Sequence, residues 1–395
     1  MFHGISSMTR ALSFRRVGSI CLVGASLLFG CSFAAAEPCA SPPKISANSA
    51  HAAFLDEKCG VWMWGFNEAG QLATSRALGG EPAPVFRVKA LPPLVDVTVA
   101  GDHTFGRAQD GAVYVWGSLE YVTCSETDRH SAKPTRIPTI DRVQSLAATK
   151  YLALFLRSEG QVYEQGCLDW RTGEVAEAPR KVAGLPAIGS VAVGSTHRLA
   201  LSKEGEVYAW GGNHPALSSN AEDRRSVMTP TRVSGLPRII AIAAGSWHSV
   251  ALDADGGVWV WGSSQEWQLG LQRPTGSEPL QPKVHEVPVR VPEVPRIRAV
   301  SAGWFSTIAV TEDDRILFWG DRGHRGFPTP AAVLGLDGVD SAYPGGNAGV
   351  TDGIFARLKT GEFVRWQRTV GSKYEDTPSP PAMGRVTPVV IPPTP

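Results

Sequence analysis

The chain has 395 residues, and 43% of them are hydrophobic, which excludes a disordered chain because this content suffices for a buried core. Basic and acidic residues nearly cancel, 38 against 37, with a formal net charge of +1, so nothing in the charge favours nucleic acid as a partner. The 42 Gly and 30 Pro are spread along the whole chain, which predicts many short strands joined by turns.

The first 36 residues are typical of a secretory signal peptide. Three arginines between positions 10 and 16 precede an apolar run over residues 17–33, and a row of three alanines ends at Ala36. We expect cleavage after Ala36, and the preceding Leu-Phe-Gly-Cys segment offers an alternative, lipoprotein-type site at Cys31. The sequence therefore predicts an exported protein, periplasmic or extracellular, with an outer-membrane lipoprotein anchored through Cys31 as the alternative.

The rest of the chain divides into a short leader, residues 37–43, and a repetitive domain, residues 44–395, in which no segment approaches the roughly 20 apolar residues of a membrane span. The clearest repeat reads AAGSWHSVALDADGGVWVWG over residues 243–262, with Trp261 thirteen positions after His248. The positions that correspond to His248 in the seven copies are His51, His103, Leu152, His197, His248, Ser306 and Gly353. Six of the seven copies keep the Trp thirteen positions later, and such regularity identifies one structural unit repeated about every fifty residues.

Each repeat has the periodicity of β-strands. Apolar residues alternate at a period of two on both sides of an Asp-Gly or Glu-Gly pair, which predicts a tight hairpin. About four short strands fit into one copy, as in a propeller blade. A blade cannot bury both of its faces alone, so the copies must stack around an axis. We interpret the repeated Trp as packing between blades and the repeated Gly as allowing close backbone approach near the axis.

These motifs resemble those of the regulator of chromosome condensation repeat family. Its signature combines Ala-Gly-x-x-His with Gly-x-Val-(Tyr/Trp)-x-Trp-Gly and often Asn-x-x-Gly-Gln-Leu-Gly, which residues 61–72 and Gln268-Leu269-Gly270 match. The resemblance covers residues 44–395 and implies an all-β fold, a closed seven-bladed β-propeller with four-stranded blades. The family's namesake is a nucleotide exchange factor for a nuclear GTPase, a role that the predicted export signal disfavours, and other members are secreted bacterial inhibitors of β-lactamases.

Four cysteines follow the predicted signal, and an even number in an exported chain permits two disulfides with three alternative pairings. In the implied fold we favour Cys39–Cys59, because Cys39 starts the strand before the His51 strand and Cys59 lies in the hairpin after it. We also favour Cys124–Cys167, because both cysteines are expected to follow the second hairpin strand of neighbouring blades.

The repeated histidines are the most conspicuous candidates for chemistry. Four of them, His51, His103, His197 and His248, recur at one repeat position and invite a metal site on the axis. Because buried polar groups normally find hydrogen-bond partners, we expect instead a structural His bonded to nearby backbone, and neither a metal nor a cofactor. Common nucleophile, zinc and phosphate-loop motifs do not occur, so we do not expect an enzyme.

Residues that the repeat does not require are the better candidates for function. Seven aromatic residues fall outside it: Tyr121, Tyr151, Trp170, Trp247, Trp267, Trp304 and Phe305. Trp247, Trp304 and Phe305 lie in the Gly-x-x-His turns, which we expect on one propeller face, where loop aromatics are typical anchors of protein interfaces. In the third copy Gln165 replaces the repeated Trp, and Trp170 is expected to fill the gap.

The leading interpretation is an exported, monomeric, non-enzymatic propeller that binds a protein partner through these aromatics. Three alternatives remain open. One is a carbohydrate-active or other enzyme with its site at the channel mouth, and the second is the nucleotide exchange activity of the family. The third is a lipid-anchored structural protein of the envelope.

Overall fold

The fold is given by a computed structural model that describes most of the chain from residue 43 onward. The described residues are 43–48, 50–75, 80–89, 91–120, 130–169, 174–175, 178–212, 227–271, 284–320, 327–345, 353–368 and 384–389. They belong to one compact unit, Pro38–Pro395. In these ranges no helix has both the length and the apolar character that a membrane crossing requires.

Seven antiparallel sheets follow one another along the chain, and each is a blade. Blades 1 to 3 contain β1 (Lys44–Ala47), β2 (His51–Leu55), β3 (Val61–Gly65) and β4 (Ala83–Arg87); β5 (Leu94–Ala100), β6 (His103–Ala108), β7 (Val113–Ser118) and β8 (His130–Arg136); β9 (Val143–Ala148), β10 (Leu152–Arg157), β11 (Val162–Asp169), β12 (Glu174–Val175) and β13 (Arg180–Lys181). Blades 4 and 5 contain β14 (Ile188–Val193), β15 (His197–Ser202), β16 (Val207–Gly211) and β17 (Val227–Arg232); β18 (Ile239–Ala244), β19 (His248–Asp253), β20 (Val258–Ser263) and β21 (Val284–Arg290). Blades 6 and 7 contain β22 (Ile297–Ala302), β23 (Ser306–Thr311), β24 (Ile316–Gly320) and β25 (Phe327–Ala332); β26 (Val339–Pro344), β27 (Ile354–Leu358), β28 (Phe363–Arg368) and β29 (Gly384–Pro388).

This arrangement confirms the predicted all-β, seven-bladed propeller with four-stranded blades. Six of the seven repeat positions are the first residue of the second strand of a blade, and the seventh, Gly353, directly precedes β27. Blade 3 carries one addition, because β12 pairs with the far end of β11 while β13 serves as the fourth strand.

The hairpins between the second and third strands form where the Asp-Gly pairs predicted them. In blade 5, one Asp253 carboxylate oxygen accepts hydrogen bonds from the backbone N–H groups of Asp255 and Gly257, and the other accepts from Trp259 Nε1 at 2.8 Å. Burial works to raise the pKa of Asp253, but these hydrogen bonds outweigh it and lower that pKa. Gly256 supplies the positive φ, 82°, at the turn.

The repeated Trp residues pack between blades, as predicted. Trp116 of blade 2 is fully buried in a cluster with Leu55 and Met63 of blade 1, and Trp261 of blade 5 is buried against blade 4. The ring closes with the same residue, because Trp64 of blade 1 contacts Phe355 of blade 7 with ring centroids 6.1 Å apart. Every blade except the third thus contributes an indole to a seam between two blades.

A chain of hydrogen bonds, called here the seam relay, crosses between blades 1 and 2. His51 Nε2 lies 2.7 Å from Thr104 Oγ1 of the next blade, and that hydroxyl donates to the carbonyl oxygen of Gln71 at 3.0 Å. Trp116 Nε1 donates to the same carbonyl at 2.9 Å. Because the hydroxyl proton is committed to Gln71, the His51 ring must donate from Nε2. Burial lowers the pKa of His51 to about 3, so the ring is neutral near pH 7.

The same relay joins blades 5 and 6, through His248, Thr307 and the Gln268 carbonyl. His197 likewise bonds to Ser249 of blade 5 at 3.0 Å. The expectation that the histidines bond to nearby backbone is met in part, since backbone groups of Thr149 and Ser306 bond to His103 and His248. The Nε2 atoms of His51, His197 and His248 bond instead to a side-chain hydroxyl about fifty residues away, in the neighbouring blade. The Gln of the Gln-Leu motif is explained by its side chain, which accepts a backbone N–H two residues earlier, from Ala69 in blade 1 and from Glu266 in blade 5. Its backbone carbonyl accepts the end of the relay.

Blade 3 replaces the relay with charge. Gln165 is buried where other blades have Trp. Glu164 beside it forms an ion pair with Arg198, at 3.3 Å from Nε, and accepts a hydrogen bond from Trp210 Nε1, also at 3.3 Å. Arg198 is almost fully buried, and this desolvation lowers its pKa while Glu164 opposes the change. The Glu164 carboxylate thus replaces the Gln71 carbonyl of the seam between blades 1 and 2. The Arg198 guanidinium replaces the Thr104 hydroxyl of that seam.

The cysteine predictions are met only in part by the described residues. Cys59 lies in the hairpin between β2 and β3, as expected, but Cys167 lies inside β11 rather than after it, because that strand extends to pair with β12. Cys31, Cys39 and Cys124 lie outside the described residues. Both pairings stay predictions.

The buried histidines predict a loss of stability in mild acid. Burial lowers the pKa of His51 and His248 from 6.5 to about 3 and that of His103 to about 4. The unfolded chain binds protons at these rings near pH 6.5, whereas the folded chain does not. The free energy of unfolding is therefore largest above pH 6.5 and falls as the pH drops toward the pKa values of the folded chain. At pH 5 each buried ring should lower the free energy of unfolding by about 2 kcal/mol. Melting curves at pH 7 and pH 5 will measure this loss.

The variant His51→Gln should weaken this pH dependence, because an amide N–H can still donate to Thr104 and does not titrate. His130→Gln, at an exposed position, is the matched control and should leave the dependence unchanged. A melting temperature that does not change between pH 7 and pH 5 would contradict the assignment.

The blade 3 ion pair predicts a double-mutant result. Glu164→Gln leaves the Arg198 guanidinium buried without its carboxylate and should destabilise the fold by roughly 3–5 kcal/mol. Adding Arg198→Thr restores the neutral pattern of the first seam and should recover most of that loss. Glu159→Gln, which removes an exposed pair with Arg142, should cost less than about 1 kcal/mol. Urea unfolding distinguishes these outcomes, and a double variant as unstable as Glu164→Gln would refute the interpretation.

Candidate functional site

The propeller has two chemically different faces. The turns between first and second strands and the loops between third and fourth strands share one end of each sheet, called here the turn face. In blade 5, for example, Ser263 at the end of β20 donates its N–H to the Trp247 carbonyl in the preceding turn at 2.8 Å. The hairpins between second and third strands, with the connections to the next blade, form the opposite hairpin face.

Three of the predicted aromatic residues meet on the turn face. Trp247 of blade 5 and Trp304 of blade 6 are 43% and 55% exposed, whereas Phe305 between them is 7% exposed. The Phe305 ring centroid lies 5.3 Å from that of Trp247 and 6.4 Å from that of Trp304. We call these three residues the aromatic cluster. Phe305 lies beneath the two indoles and supports them. The structure thus brings the three predicted residues together, with two exposed indoles and one buried ring.

The turns that carry the cluster are hydrogen-bonded to one another around the axis. Ser195 of blade 4 donates its N–H to the Ser246 carbonyl, and Ser246 donates to the Trp304 carbonyl, both at 3.1 Å. This close approach requires Gly at the start of each turn, because a Cβ on Gly245 would lie 2.6 Å from the Gly303 carbonyl oxygen. The exposed indoles therefore stand on a backbone held by neighbouring blades.

Tyr151 lies at the corresponding turn of blade 3 and is 47% exposed. Lys150 places its ammonium 5.9 Å from the Tyr151 ring centroid and 3.3 Å from an Asp102 carboxylate oxygen in blade 2. One blade, the fourth, lies between Tyr151 and Trp247 along the ring, so Tyr151 shares the face but not the cluster.

Of the remaining predicted residues, one lies outside the aromatic cluster and two are not described. Trp267 is half-buried in the loop between β20 and β21, on the turn face of blade 5. Tyr121 and Trp170 lie outside the described residues, and so does the suggestion that Trp170 fills the gap left by Gln165.

The hairpin face is dominated by ion pairs. Asp314 lies 3.2 Å from Arg298 and also pairs with Lys359, and Glu159 pairs with Arg142. The hydrogen bond from Lys359 is the main cause of a lowered pKa at Asp314. Such exposed, already neutralised pairs suit a solvated surface. The exposed aromatics lie instead on the opposite end of the propeller.

The turn face is suited to binding rather than to proton transfer. Its exposed large hydrophobic side chains include Trp247, Trp304 and Tyr151. The four repeated histidines are buried, and the Nε2 atoms of His51, His197 and His248 bond across the seams. Among the described residues no group of three His, Cys, Asp or Glu is placed to hold a metal ion. The contacts between turns, such as Lys150 with Asp102, were missed by the sequence analysis, because turn residues vary from copy to copy and carry no periodic signal.

Comparison with known proteins agrees with the fold. A family model described as the RCC1-like domain matches residues 33–339. The guanine nucleotide exchange factor SRM1 of Saccharomyces cerevisiae is 27% identical over 334 residues, 68% of this chain and 67% of the yeast protein. The E3 ubiquitin-protein ligase HERC2 of Homo sapiens is 32% identical over 268 residues, which cover 61% of this chain but only 5% of HERC2.

A solved structure of yeast RCC1 (Prp20) with Kap60 superposes with a TM-score of 0.64 over 76% of this chain and 78% of that chain, at 23% sequence identity. At this identity the superposition supports the fold alone. The matching family model covers most of the chain and includes six complete blades. The chain therefore belongs to the family of RCC1-like domains.

Proposed function

We propose that this protein is an exported, non-enzymatic binding module that holds a protein partner on its turn face. The observation that carries this proposal is the aromatic cluster, in which Trp247 and Trp304 are exposed above the buried Phe305. Trp and Tyr are enriched among the residues that dominate protein interfaces, because they bury a large area at a small cost in side-chain entropy.

The cluster is also pre-organised. The two indoles rest on Phe305, and their turns are tied by the hydrogen bonds from Ser195 to Ser246 and from Ser246 to Trp304. A partner that meets a rigid surface does not have to order it, so less of the interaction free energy is lost on binding. Tyr151 extends the aromatic character of the same face.

The names of the relatives are compatible with a protein partner. One is a nucleotide exchange factor, another a ubiquitin ligase, and the yeast structure was solved with a protein bound. For this chain we adopt only the general class of partner, which is a protein. The predicted signal peptide of residues 1–36 supports an exported location, which separates this chain from the nuclear role of the family's namesake.

An enzymatic site at the channel mouth finds less support. Such a site needs accessible carboxylates and histidines close together. The repeated histidines are instead buried at the seams, with their pKa values lowered by burial, and Asp314 on the hairpin face is paired with two cations.

Replacing the exposed indoles should weaken partner binding without unfolding the propeller. Trp247→Ala and Trp304→Ala should each weaken partner binding by about 2 kcal/mol, or roughly 30-fold, because an anchor residue loses its buried area. Their melting temperatures should stay close to that of the parent chain, since exposed substitutions rarely cost more than about 0.5 kcal/mol. The measurement is a quantitative pull-down from envelope extract, followed by titration with the partner that it identifies.

Leu334→Ala and Val287→Ala are the matched controls, because both residues are exposed and apolar but lie away from the aromatic cluster. They should recover the partner as well as the parent chain does. Equal recovery with all four variants would overturn the aromatic-face proposal.

Export and disulfide pairing can be tested together. Secretion should yield a chain that starts after Ala36 and contains Cys39–Cys59 and Cys124–Cys167, as seen by peptide mapping without reduction. If the lipoprotein alternative holds, the mature chain begins at Cys31, incorporates palmitate and accumulates as a precursor in the presence of globomycin. A full-length, unprocessed chain with reduced thiols would contradict both versions of export.

A further inference from the structure

Trp267 occupies a backbone position that the loop geometry reserves for glycine. Its φ is 61°, in the left-handed region, whereas the equivalent position in the blade 1 loop is Gly70 with a φ of 82°. Both residues directly precede a Gln-Leu pair. A bulky side chain at such a φ is strained, because its Cβ crowds the backbone carbonyl.

The loop cannot relax without breaking other contacts. Trp267 donates its N–H to the Ser264 carbonyl, and Gly270 donates to the Trp267 carbonyl at 2.9 Å. Gln268 accepts from the Glu266 N–H through its side chain and from Thr307 through its carbonyl, so the same loop completes the relay between blades 5 and 6. These hydrogen bonds at the seam between blades 5 and 6 therefore keep Trp267 in its strained conformation.

Core packing does not explain why an indole is found there. The core cluster that spans blades 5 to 7 and the partly buried residues packed against it do not include Trp267. The side chain is half-buried on the turn face, in a loop that follows Ser263, the residue whose N–H holds the Trp247 carbonyl. Its place in the fold is thus on the turn face, in a loop that reaches the seam between blades 5 and 6.

Charge on this face indicates the chemistry of a partner. The described turns and loops carry five acidic residues and one basic residue: Glu68, Glu81, Asp102, Glu120 and Glu266 against Lys150. Lys150 is itself paired with Asp102. A complementary segment would therefore combine apolar side chains with Lys or Arg, and Glu266 places one of these carboxylates next to Trp267.

We infer that Trp267 is held in a strained conformation as a partner-contacting residue, and that it meets a protein segment combining apolar side chains with a Lys or Arg. This goes further than the proposed function, on which it rests, because it assigns a cost in stability to binding and names the chemistry of the partner segment. Binding residues held in strained backbone are expected where function, rather than folding, selects the side chain.

The first test needs no partner. Trp267→Gly should raise the melting temperature by about 2 °C, because glycine adopts the same φ without strain. Glu293→Gly is the matched control, since Glu293 also has a positive φ, 56°, but lies in the turn between β21 and β22 on the hairpin face. A melting temperature that falls by about 5 °C or more in Trp267→Gly would show that the indole packs for stability, and would overturn the inference.

The second test uses p-benzoylphenylalanine as a photo-crosslinking side chain, placed in turn at positions 247, 267 and 304 and at the control positions 287 and 334. We expect one and the same polypeptide to be crosslinked from the first three positions and from neither control. The crosslinked segment should contain Lys or Arg beside apolar residues, and Glu266→Gln should lower the yield.

The outcomes distinguish a failure of the inference on Trp267 from a failure of the proposed function. Crosslinks from 247 and 304 without one from 267 would overturn the inference and leave the proposed function standing. An acidic crosslinked segment would overturn the named partner chemistry. Equal crosslinking from the controls, or none from any position, would overturn the inference together with the proposed function.

Discussion

The structure depends on one constraint: no four-stranded blade can bury both of its faces by itself. Burial is achieved only when blades stack, so the decisive contacts are those at the seams, where an indole of one blade packs against its neighbour. The polar counterpart is the relay from His51 through Thr104 to the Gln71 carbonyl. Both devices join residues of adjacent repeats, which explains why the most regular residues of the sequence belong to the scaffold.

Function is then left to the parts that the seams do not use. The turns must approach closely around the axis, which fixes Gly245 and Gly303, but the two residues that follow each of these glycines are not set by the repeat. In blades 5 and 6 these positions hold Trp247, Trp304 and the supporting Phe305. On the hairpin face, by contrast, Glu159 and Asp314 are already paired with cations.

Most of the fold could be predicted from the sequence, because strand period, hairpin signals and the thirteen-residue spacing are local properties. Contacts across a seam are not local. The hydroxyl that receives His51 lies 53 positions away, and the exchange of hydroxyl and carbonyl for Arg198 and Glu164 gives no spacing signal at all. Cys167 was misplaced for a similar reason, since the extension of β11 depends on pairing with β12. Of the candidate site, the residue types were predictable, but the buried position of Phe305 and the conformation of Trp267 follow from tertiary contacts.

The closure of the ring has a consequence for chain connectivity. Blade 1 is formed entirely by β1 to β4 and blade 7 entirely by β26 to β29, so the last seam is made by side chains such as Trp64 and Phe355 without exchange of a strand between the two ends. Each sheet is therefore a contiguous segment, and the connections between blades all lie on the hairpin face. Opening the chain at any of these connections and joining β29 to β1 would keep every sheet and every seam. The same propeller is thus compatible with six circular permutations of its sequence, one for each connection between blades.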